Sequence, residues 1–342
     1  MIKNTVILTG LRANNDLHLG NYLGGILPIV DMANTDSDAQ INLFVPDLHS
    51  IISEYDSTKL QEAIIDNIKT SVALGFPLDK PNIYLYRQSY IPAHSELTWI
   101  LDCMTGFGEL SRMIEFKEKS LQTGKSNVGV GLFNYPVLMA SDILLYDANY
   151  IPVGDDQRQH LEFARNIANK FNTKYGDVFV IPKNTKEHDT KFKRDQALRI
   201  KDLQDPSKKM SKSAESDKGV IFLSDNPDIA KNKIMSATTD SIGAINYDHD
   251  KQPGISNLID IMRLFSAKSQ DEILAKYQNS SKYAEFKAEV AEVVSKFLMD
   301  FQNKFKSINN QQIIDKLESS ELQMNKQASA KLLAVQKAVG LR

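Results

Sequence analysis

The stretch Asn4–Gly25, which reads NTVILTGLRANNDLHLGNYLGG, combines a strand pattern, a turn and a helix start in immediate succession. An apolar, β-rich run over residues 5–9 ends at Gly10, and a polar, turn-forming loop over residues 12–16 follows it. Beyond the loop, apolar side chains recur on one helical face at Leu23, Ile26, Leu27 and Val30. This succession is typical of the first unit of a doubly wound parallel sheet, in which the helix start attracts anions.

The helix entry of this stretch predicts a nucleotide-binding turn. Gly20 has no side chain, so a phosphate or a flat ring could approach its backbone closely. His18 and Asn21, three residues apart, would offer donors to phosphate oxygens. A lone histidine near a helix start is more often a surface or capping residue, and from this stretch alone both interpretations stay open. The dinucleotide fingerprint G-x-G-x-x-G does not follow the strand.

The composition indicates an ordinary soluble globular protein with a sizeable core. The chain has 342 residues, enough for one large domain with a smaller one or for two of middling size. It is 42% hydrophobic and 25% charged. Its 41 Lys and Arg residues against 43 Asp and Glu residues give a net charge of -2, so a nucleic-acid partner would have to bind a local basic patch.

Cysteine usage and the amino-terminal residues indicate a reducing compartment. Cys103 is the single cysteine, which excludes an internal disulfide and a cysteine-rich metal site. The first residues lead directly into the predicted strand, so no targeting peptide is expected. No apolar stretch approaches the ~20 residues that a membrane span needs. We therefore expect a cytoplasmic protein without a membrane segment.

Strand and helix patterns alternate over the first two thirds of the chain. Further strands are predicted at residues 41–45, 83–86, 150–153 and 178–181, and helices at residues 60–74, 94–104, 135–146 and 160–171. The polar segment 107–127 is predicted to be a mobile loop, and Trp99 and Cys103 to be core or interface residues. The alternation predicts an α/β fold with a mostly parallel, Rossmann-like doubly wound sheet over residues 1–223, with an inserted helical segment.

After about residue 224 the strand signals stop. Helices are predicted at residues 255–265, 269–277, 283–305, 311–317 and 324–339. Residues 224–342 are therefore predicted to form a second, α-helical domain.

A second stretch with chemical character is Lys208–Ser213, which reads KKMSKS and follows Asp205-Pro206. Lys209 and Lys212, interleaved with hydroxyl groups in a loop, could clamp the β- and γ-phosphates of a nucleotide or a departing pyrophosphate. A solvated basic turn is the commoner fate of a lysine-rich run, and this alternative stays open for the stretch taken by itself.

The two stretches, HLGN at residues 18–21 and KMSKS at residues 209–213, resemble in this order the two signature motifs of class I aminoacyl-tRNA synthetases. The amino-acid sequence between and after these two motifs resembles the compact bacterial form of the tryptophanyl branch over nearly the whole chain. The segments that carry this resemblance are FKEKS at 116–120, YPVLMASDILLY at 135–146, PVGDDQ at 152–157, DPSK at 205–208 and PGISNL at 253–258.

The resemblance implies an ATP-dependent ligase that converts L-tryptophan and ATP to tryptophanyl-adenylate and pyrophosphate, then transfers tryptophan to the 3′ end of tRNA(Trp). Mg²⁺ would accompany ATP, and no metal site of the protein itself is predicted. The helical domain would read the anticodon, and the family works as a homodimer. The residues that the resemblance assigns to catalysis are His18, Asn21, Lys119, Lys209 and Lys212.

The resemblance also assigns binding residues. Ile200 would lie against adenine, Lys119 would reach the triphosphate, and Gly154 with its two neighbours would meet the ribose. The implied ATP-binding set is Arg12, Ala13, Asn14, Gly20, Asn21, Gly154, Asp155, Asp156, Ile200, Lys209, Met210, Ser211, Lys212 and Ser213. The implied tryptophan-binding set is Leu8, His49, Tyr135, Met139, Asp142, Ile143 and Gln157.

Asp142 is the implied acceptor of the indole N–H, and Gln157 would hold the substrate's amino group. Met139, Asp142 and Tyr146 share one helix face, since they lie at positions i, i+3 and i+7. A carboxylate in an apolar slot would reject phenylalanine, which leaves it unpaired. A carboxylate on a helix surface is the plainer alternative, but the apolar residues at 143–145 favour burial.

Two positions depart from the family pattern. Arg12-Ala13-Asn14-Asn15 lacks the Pro and Gly that usually follow the first strand, so this loop is expected to be looser, and Ala214 follows the lysine motif where Asp is usual. A tyrosyl enzyme, another nucleotidyltransferase with the same motifs and a non-catalytic paralogue remain alternatives. The MASD sequence at residues 139–142 favours tryptophan over tyrosine.

Overall fold

The computed structural model of the chain describes residues 5–11, 17–36, 38–52, 54–123, 128–154, 157–192, 200–211, 217–266 and 268–342, without the side chains of residues 119–123. Within these ranges a parallel sheet contains β1 (Val6–Gly10), β2 (Gln40–Val45) and β3 (Ile83–Arg87), hydrogen-bonded in the order β1-β2-β3. Ile7 is paired with Ile41, and Ile41 with Ile83. The apolar β-branched composition of these strands suits burial on both faces.

Helices follow each strand of the sheet. A π-helical turn, Tyr22–Ile26, lies between the helices Leu19–Asn21 and Leu27–Thr35. The helices of the described ranges are α1 (Leu19–Asn21), α2 (Leu27–Thr35), α3 (Asp47–Ser50), α4 (Leu60–Ala73), α5 (Ala93–Asp102), α6 (Phe107–Leu110), α7 (Ile114–Thr123), α8 (Val130–Leu144), α9 (Arg158–Tyr175), α10 (Thr185–Phe192), α11 (Pro227–Met235), α12 (Pro253–Phe265), α13 (Gln270–Tyr277), α14 (Tyr283–Ser307) and α15 (Asn310–Ala338).

Both faces of the sheet are covered by helices. On one face, Ile7 and Ile41 lie in a core that also contains Ile259 of α12 and Val294 of α14. On the other face, Leu8 packs with side chains of α5, α8, α9 and α15. The predicted Rossmann-like fold class and the predicted helical carboxyl-terminal region are confirmed. The domain boundary at residues 223 and 224 stays a prediction, since helices from beyond it share the core of the sheet.

Two predicted strands are wrong. Tyr150 makes only an isolated parallel bridge to Ile7, and its carbonyl accepts from Leu8 N–H at 2.9 Å. The segment 178–181 is not a strand, and the Asn172 side chain bonds backbone groups of its first two residues. The Asn172 Oδ1 atom accepts from the N–H groups of residues 178 and 179 at 3.1 and 2.9 Å, and its Nδ2 donates to the Phe179 carbonyl at 2.8 Å.

Three further expectations also change. The predicted loop 107–127 contains α6 and α7, and α6 begins where Glu109 accepts from the Gly106 N–H at 3.2 Å. The two last predicted helices are one continuous α15. Trp99 is 72% exposed and Cys103 is exposed too, so neither is a core residue, and an interface role stays a prediction.

None of the described helices combines the length and the hydrophobicity that a membrane crossing requires.

Candidate active site

The amino-terminal helix entry is closed by a reciprocal cap between His18 and Asn21. The Asn21 N–H donates to His18 Nδ1 at 3.3 Å, and the His18 N–H donates to Asn21 Oδ1 at 3.2 Å. Such a capping box satisfies two of the N–H groups at a helix start. A Cβ atom on Gly20 would lie 3.0 Å from the His18 ring and 3.5 Å from the Met210 carbonyl oxygen. The Cα atom of Gly20 therefore lies beside the second motif, with no side chain between them.

The residues around the lysine motif form a short antiparallel hairpin, which we call the lysine hairpin (residues 200–210). Lys201 and Lys209 form an antiparallel bridge, and the Met210 N–H donates to the Ile200 carbonyl at 3.1 Å. Ile200 and Met210 are buried, whereas Lys209 is exposed. The hairpin thus fixes its backbone in the protein while the Lys209 ammonium group reaches solvent.

Backbone pairing also joins the first motif to the segment that follows the lysine motif. His18 forms an antiparallel bridge with Phe222, and the Leu19 N–H donates to the Ile221 carbonyl at 3.0 Å. The Leu223 N–H donates to the Leu17 carbonyl at 2.8 Å. Two segments far apart in sequence are therefore neighbours, with the lysine hairpin beside the helix entry.

Asn257 of α12 holds the base of the lysine hairpin. Its Nδ2 donates to the Lys201 carbonyl at 3.0 Å, and its Oδ1 accepts from the Lys201 N–H at 2.8 Å. Asn257 is buried. The first turn of α12 lies very close to the neighbouring loop, since a Cβ atom added to Gly254 would be only 2.1 Å from the Thr238 carbonyl oxygen. The helix can approach this closely only with glycine at its first turn.

We expect Asn257→Ala to lower the ATP-dependent rate by about tenfold, because a slightly displaced hairpin misaligns its cations. Because the resemblance of the two motifs implies that ATP activates an amino acid here, the measurement is kcat/KM for ATP in amino-acid-dependent pyrophosphate exchange. Ser256→Ala is the matched control, since Ser256 is equally buried on α12 but its Oγ accepts from the Asp248 N–H at 2.9 Å instead. Equal losses in both variants would show that Asn257 acts only on the stability of α12.

Asp142 of α8 lies buried at the centre of a hydrogen-bond network. Its Oδ1 accepts from Gln88 Nε2 at 2.7 Å and contacts His94 Nδ1 at 2.6 Å. Its Oδ2 contacts His49 Nε2 at 3.0 Å. The side chain of Asp142 is 1% exposed, so the predicted burial is confirmed.

The Asp142 carboxyl group stays ionised although it is buried. Desolvation alone would raise the pKa of the Asp142 carboxyl, but hydrogen bonds from His49 and His94 outweigh it and lower the pKa to about 2. The carboxylate therefore stays ionised at neutral pH. A buried anion in this position is suited to accept a hydrogen bond from a polar N–H on an otherwise apolar ligand.

The other predicted tryptophan-binding residues surround this network to different degrees. The His49 ring meets the Tyr135 ring edge-on, with centroids 6.1 Å apart, and the Tyr135 hydroxyl lies 2.7 Å from His160 Nε2. Leu8 and Ile143 are fully buried in the same core, which Met139 only partly enters. Leu8, Ile143 and part of Met139 thus belong to the apolar cluster on this side of the sheet, and Tyr135 meets the Asp142 network through its contact with His49.

The predicted ribose turn is only partly described. The Gln157 N–H donates to the Gly154 carbonyl at 3.0 Å, which starts α9. Lys119 is described by its backbone alone, on α7. The predicted site residues that lie outside the described ones are Arg12, Ala13, Asn14, Asp155, Asp156, Lys212 and Ser213.

Sequence reasoning missed Gln88 and His94. Gln88 directly follows β3, as the segment with His49 directly follows β2. Polar residues just past the carboxyl ends of parallel strands were the available signal for Gln88. His94 lies near the start of α5 and gives no local signal, because only the packing of α5 against α8 brings it to Asp142.

Comparisons with known proteins agree with this geometry. The family model of class I tRNA synthetases (W and Y) matches residues 3–299. A tryptophan–tRNA ligase of Malacoplasma penetrans is 41% identical over 340 residues, which are 98% of this chain and 98% of the relative. A tryptophan–tRNA ligase of Helicobacter pylori is 41% identical over 308 residues, which are 90% of each chain.

Solved structures are similar over nearly the whole chain. The tryptophanyl-tRNA synthetase of Mycoplasma pneumoniae has a TM-score of 0.80 at 31% identity, and the match covers 99% of this chain and 98% of the Mycoplasma chain. The Campylobacter jejuni enzyme, complexed with ADP and tryptophan, has a TM-score of 0.79 at 29% identity, covering 98% of this chain and 100% of its own. The chain therefore belongs to the class I tRNA synthetases of the tryptophan and tyrosine group.

Proposed function

We propose that this chain is a tryptophan–tRNA ligase. The observation that carries the amino-acid assignment is the buried Asp142, whose carboxylate stays ionised, since an indole N–H is a donor that such a site would select. The relatives named tryptophan–tRNA ligase support the same assignment, because the similarity covers almost the full length of both chains. The proximity of Gly20 to Met210 supports a shared site for ATP.

The proposed reaction begins with tryptophan and ATP bound side by side. The tryptophan carboxylate is already ionised at neutral pH, so it attacks the α-phosphorus without a general base. A bond forms between a carboxylate oxygen and the α-phosphorus, and the bond to the bridging oxygen of pyrophosphate breaks. The terminal ribose hydroxyl of tRNA(Trp) then attacks the carbonyl carbon and gives up its proton to the leaving phosphate, and AMP departs as the bond between the carbonyl carbon and its phosphate oxygen breaks. The protein aligns these reactants and neutralises the leaving charge.

The proposed roles follow from this reaction. His18 and Asn21 keep the helix entry in position for the triphosphate, and cationic side chains meet the departing pyrophosphate. The residues that we propose for this second task are Lys119, Lys209 and Lys212. Gln157 would hold the amino group of tryptophan, while Gly154, Asp155 and Asp156 would meet the ribose.

We propose that Mg²⁺ enters with the substrate as the magnesium complex of ATP. Among the described residues, no group of three or more His, Cys, Asp and Glu side chains is arranged to hold a metal ion. Phosphate oxygens and water, which are ligands that Mg²⁺ prefers, would then supply its coordination.

The helical region 224–342 would bind the anticodon, and the reaction would take place in the cytoplasm, where its product is used.

We also propose that the protein is a homodimer. Helix α8 packs against both α5 and α6, and each of these helices has a large apolar side chain that is mostly exposed, Trp99 of α5 at 72%, Phe107 of α6 at 76% and Val130 of α8 at 79%. Contiguous exposed apolar side chains are typical of an interface, and we propose that these three helices meet the second copy of the chain. We expect Val130→Asp to sediment as a monomer at micromolar concentration where the unaltered protein sediments as a dimer. A variant that sediments like the unaltered protein would place the interface elsewhere.

The proposed function is tested by charging of tRNA. The purified protein, MgATP and bulk bacterial tRNA are incubated with labelled tryptophan or labelled tyrosine, and acid-precipitable label is counted. We expect label in tRNA with tryptophan alone. Charging with tyrosine alone would make the chain a tyrosyl enzyme, and charging with neither would indicate a non-catalytic relative.

A further inference from the structure

The two oxygens of Asp142 lie in different surroundings. Oδ1 faces Gln88 and His94, whose side chains are both 0% exposed. Oδ2 faces His49, whose side chain is 19% exposed. Each carboxylate oxygen has about two acceptor positions. Among the described side chains, two donors fill Oδ1 and one occupies Oδ2, so the open acceptor position lies on Oδ2, beside the partly exposed His49.

The proton on the His94 ring can be assigned from its second contact. His94 Nε2 lies 2.8 Å from the Tyr146 hydroxyl. Burial raises the pKa of Tyr146 well above its usual value, so this hydroxyl keeps its proton. When Tyr146 donates to Nε2, a neutral His94 carries its proton on Nδ1 and donates to Asp142. The Gln88 amide is fixed in the same way, because its Oε1 accepts from the Leu48 N–H at 3.2 Å.

We propose that His94, oriented by Tyr146, is a positioning residue for indole recognition: it occupies Oδ1 of Asp142 together with Gln88 and thereby directs the indole N–H to Oδ2. This inference rests on the proposed function and adds residues that do not touch the amino acid. Such outer partners fix the orientation and charge of the group that binds the ligand. The predicted consequence is specific to substrates that have an N–H to donate.

The test compares L-tryptophan with 3-benzothienyl-L-alanine, in which sulfur replaces the indole N–H. Both are assayed by pyrophosphate exchange into ATP, and the measured quantity is the ratio of their kcat/KM values. We expect His94→Leu to lower this ratio by about tenfold or more, the loss that one hydrogen bond to a charged group carries. The loss should fall on tryptophan, with kcat/KM for the analogue and KM for ATP nearly unchanged.

Two further variants separate positioning from packing. His94→Asn places an amide N–H near the position of Nδ1 and should restore most of the preference for tryptophan. Tyr146→Phe keeps the ring and removes the hydroxyl that fixes the His94 proton, so it should lower the ratio by a smaller factor even if His94→Leu does not fold.

The control variant is Ser141→Ala. The Ser141 hydroxyl donates to the backbone carbonyl of His94 at 2.8 Å rather than to its ring or to the Asp142 carboxylate, so this variant should leave the ratio unchanged. Equal losses for both amino acids in His94→Leu and Tyr146→Phe would overturn the positioning role. If the unaltered protein showed no exchange with either amino acid, the proposed function itself would fail, which is a different result.

Discussion

Replacing Asp142 with alanine should lower kcat/KM for tryptophan by about a hundredfold or more, since the variant loses a hydrogen bond to a charged group and leaves its partners unpaired. The partners are Gln88 and His94, which are fully buried, and the partly exposed His49. KM for ATP should stay within about twofold, because the site of the triphosphate is built from other residues. The measurement is pyrophosphate exchange at varied tryptophan and at varied ATP.

Asp142→Asn is the informative companion to the alanine variant. It keeps the shape of the side chain, but one amide position becomes a donor that faces the donors of His94, Gln88 or His49. It should therefore also lose tryptophan use while unfolding at nearly the same temperature as the alanine variant. Equal damage to tryptophan and ATP kinetics in both variants would contradict the assigned role of Asp142.

Replacing Glu321 with alanine should lower the free energy of unfolding by about 3–5 kcal/mol, because it leaves a buried guanidinium without its counter-charge. Glu321 of α15 accepts from Arg87 of β3 through the Nε atom at 2.6 Å, the Nη2 atom at 2.8 Å and the backbone N–H at 3.1 Å. Both side chains are about nine-tenths buried, at 10% and 9% exposure. Urea denaturation followed by circular dichroism measures the effect.

The control for Glu321 is an ion pair of the same kind on the surface. Lys282 and Glu285 lie 3.0 Å apart, and both are more than 60% exposed, at 63% and 62%. Glu285→Ala should change the free energy of unfolding by less than about 1 kcal/mol. A loss for Glu321→Ala as small as that of the control would mean that water screens the Arg87 pair and that α15 is held by its apolar contacts alone.

The first strand, the helix entry and most helices could be predicted because their signals are local. The run at residues 5–9 and the helical spacing after Gly20 specify their elements without help from distant parts of the chain. The segments 150–153 and 178–181 have the same apolar composition as strands. Their backbone groups bond mainly to β1 and to the Asn172 side chain, and neither partner is visible in the local pattern.

The sequence pattern predicts two helices where α15 is continuous, because residues 318–323 are mostly polar. Ser320 and Glu321 are nevertheless buried. The burial of Glu321 is compensated by the hydrogen bonds that its carboxylate accepts from Arg87 of the sheet. The candidate active site, too, could be predicted from the sequence only in part. The two motifs and Asp142 are readable as residue types in a known order, whereas His94 reaches Asp142 only through the packing of two helices.

The most direct test of the account is pyrophosphate exchange into ATP, measured with each of the amino acids in turn. The proposal of one site that joins the helix entry, the lysine hairpin and Asp142 predicts exchange with tryptophan and none above background with phenylalanine or tyrosine. Exchange that depends on tyrosine, or that occurs with no amino acid, would contradict it.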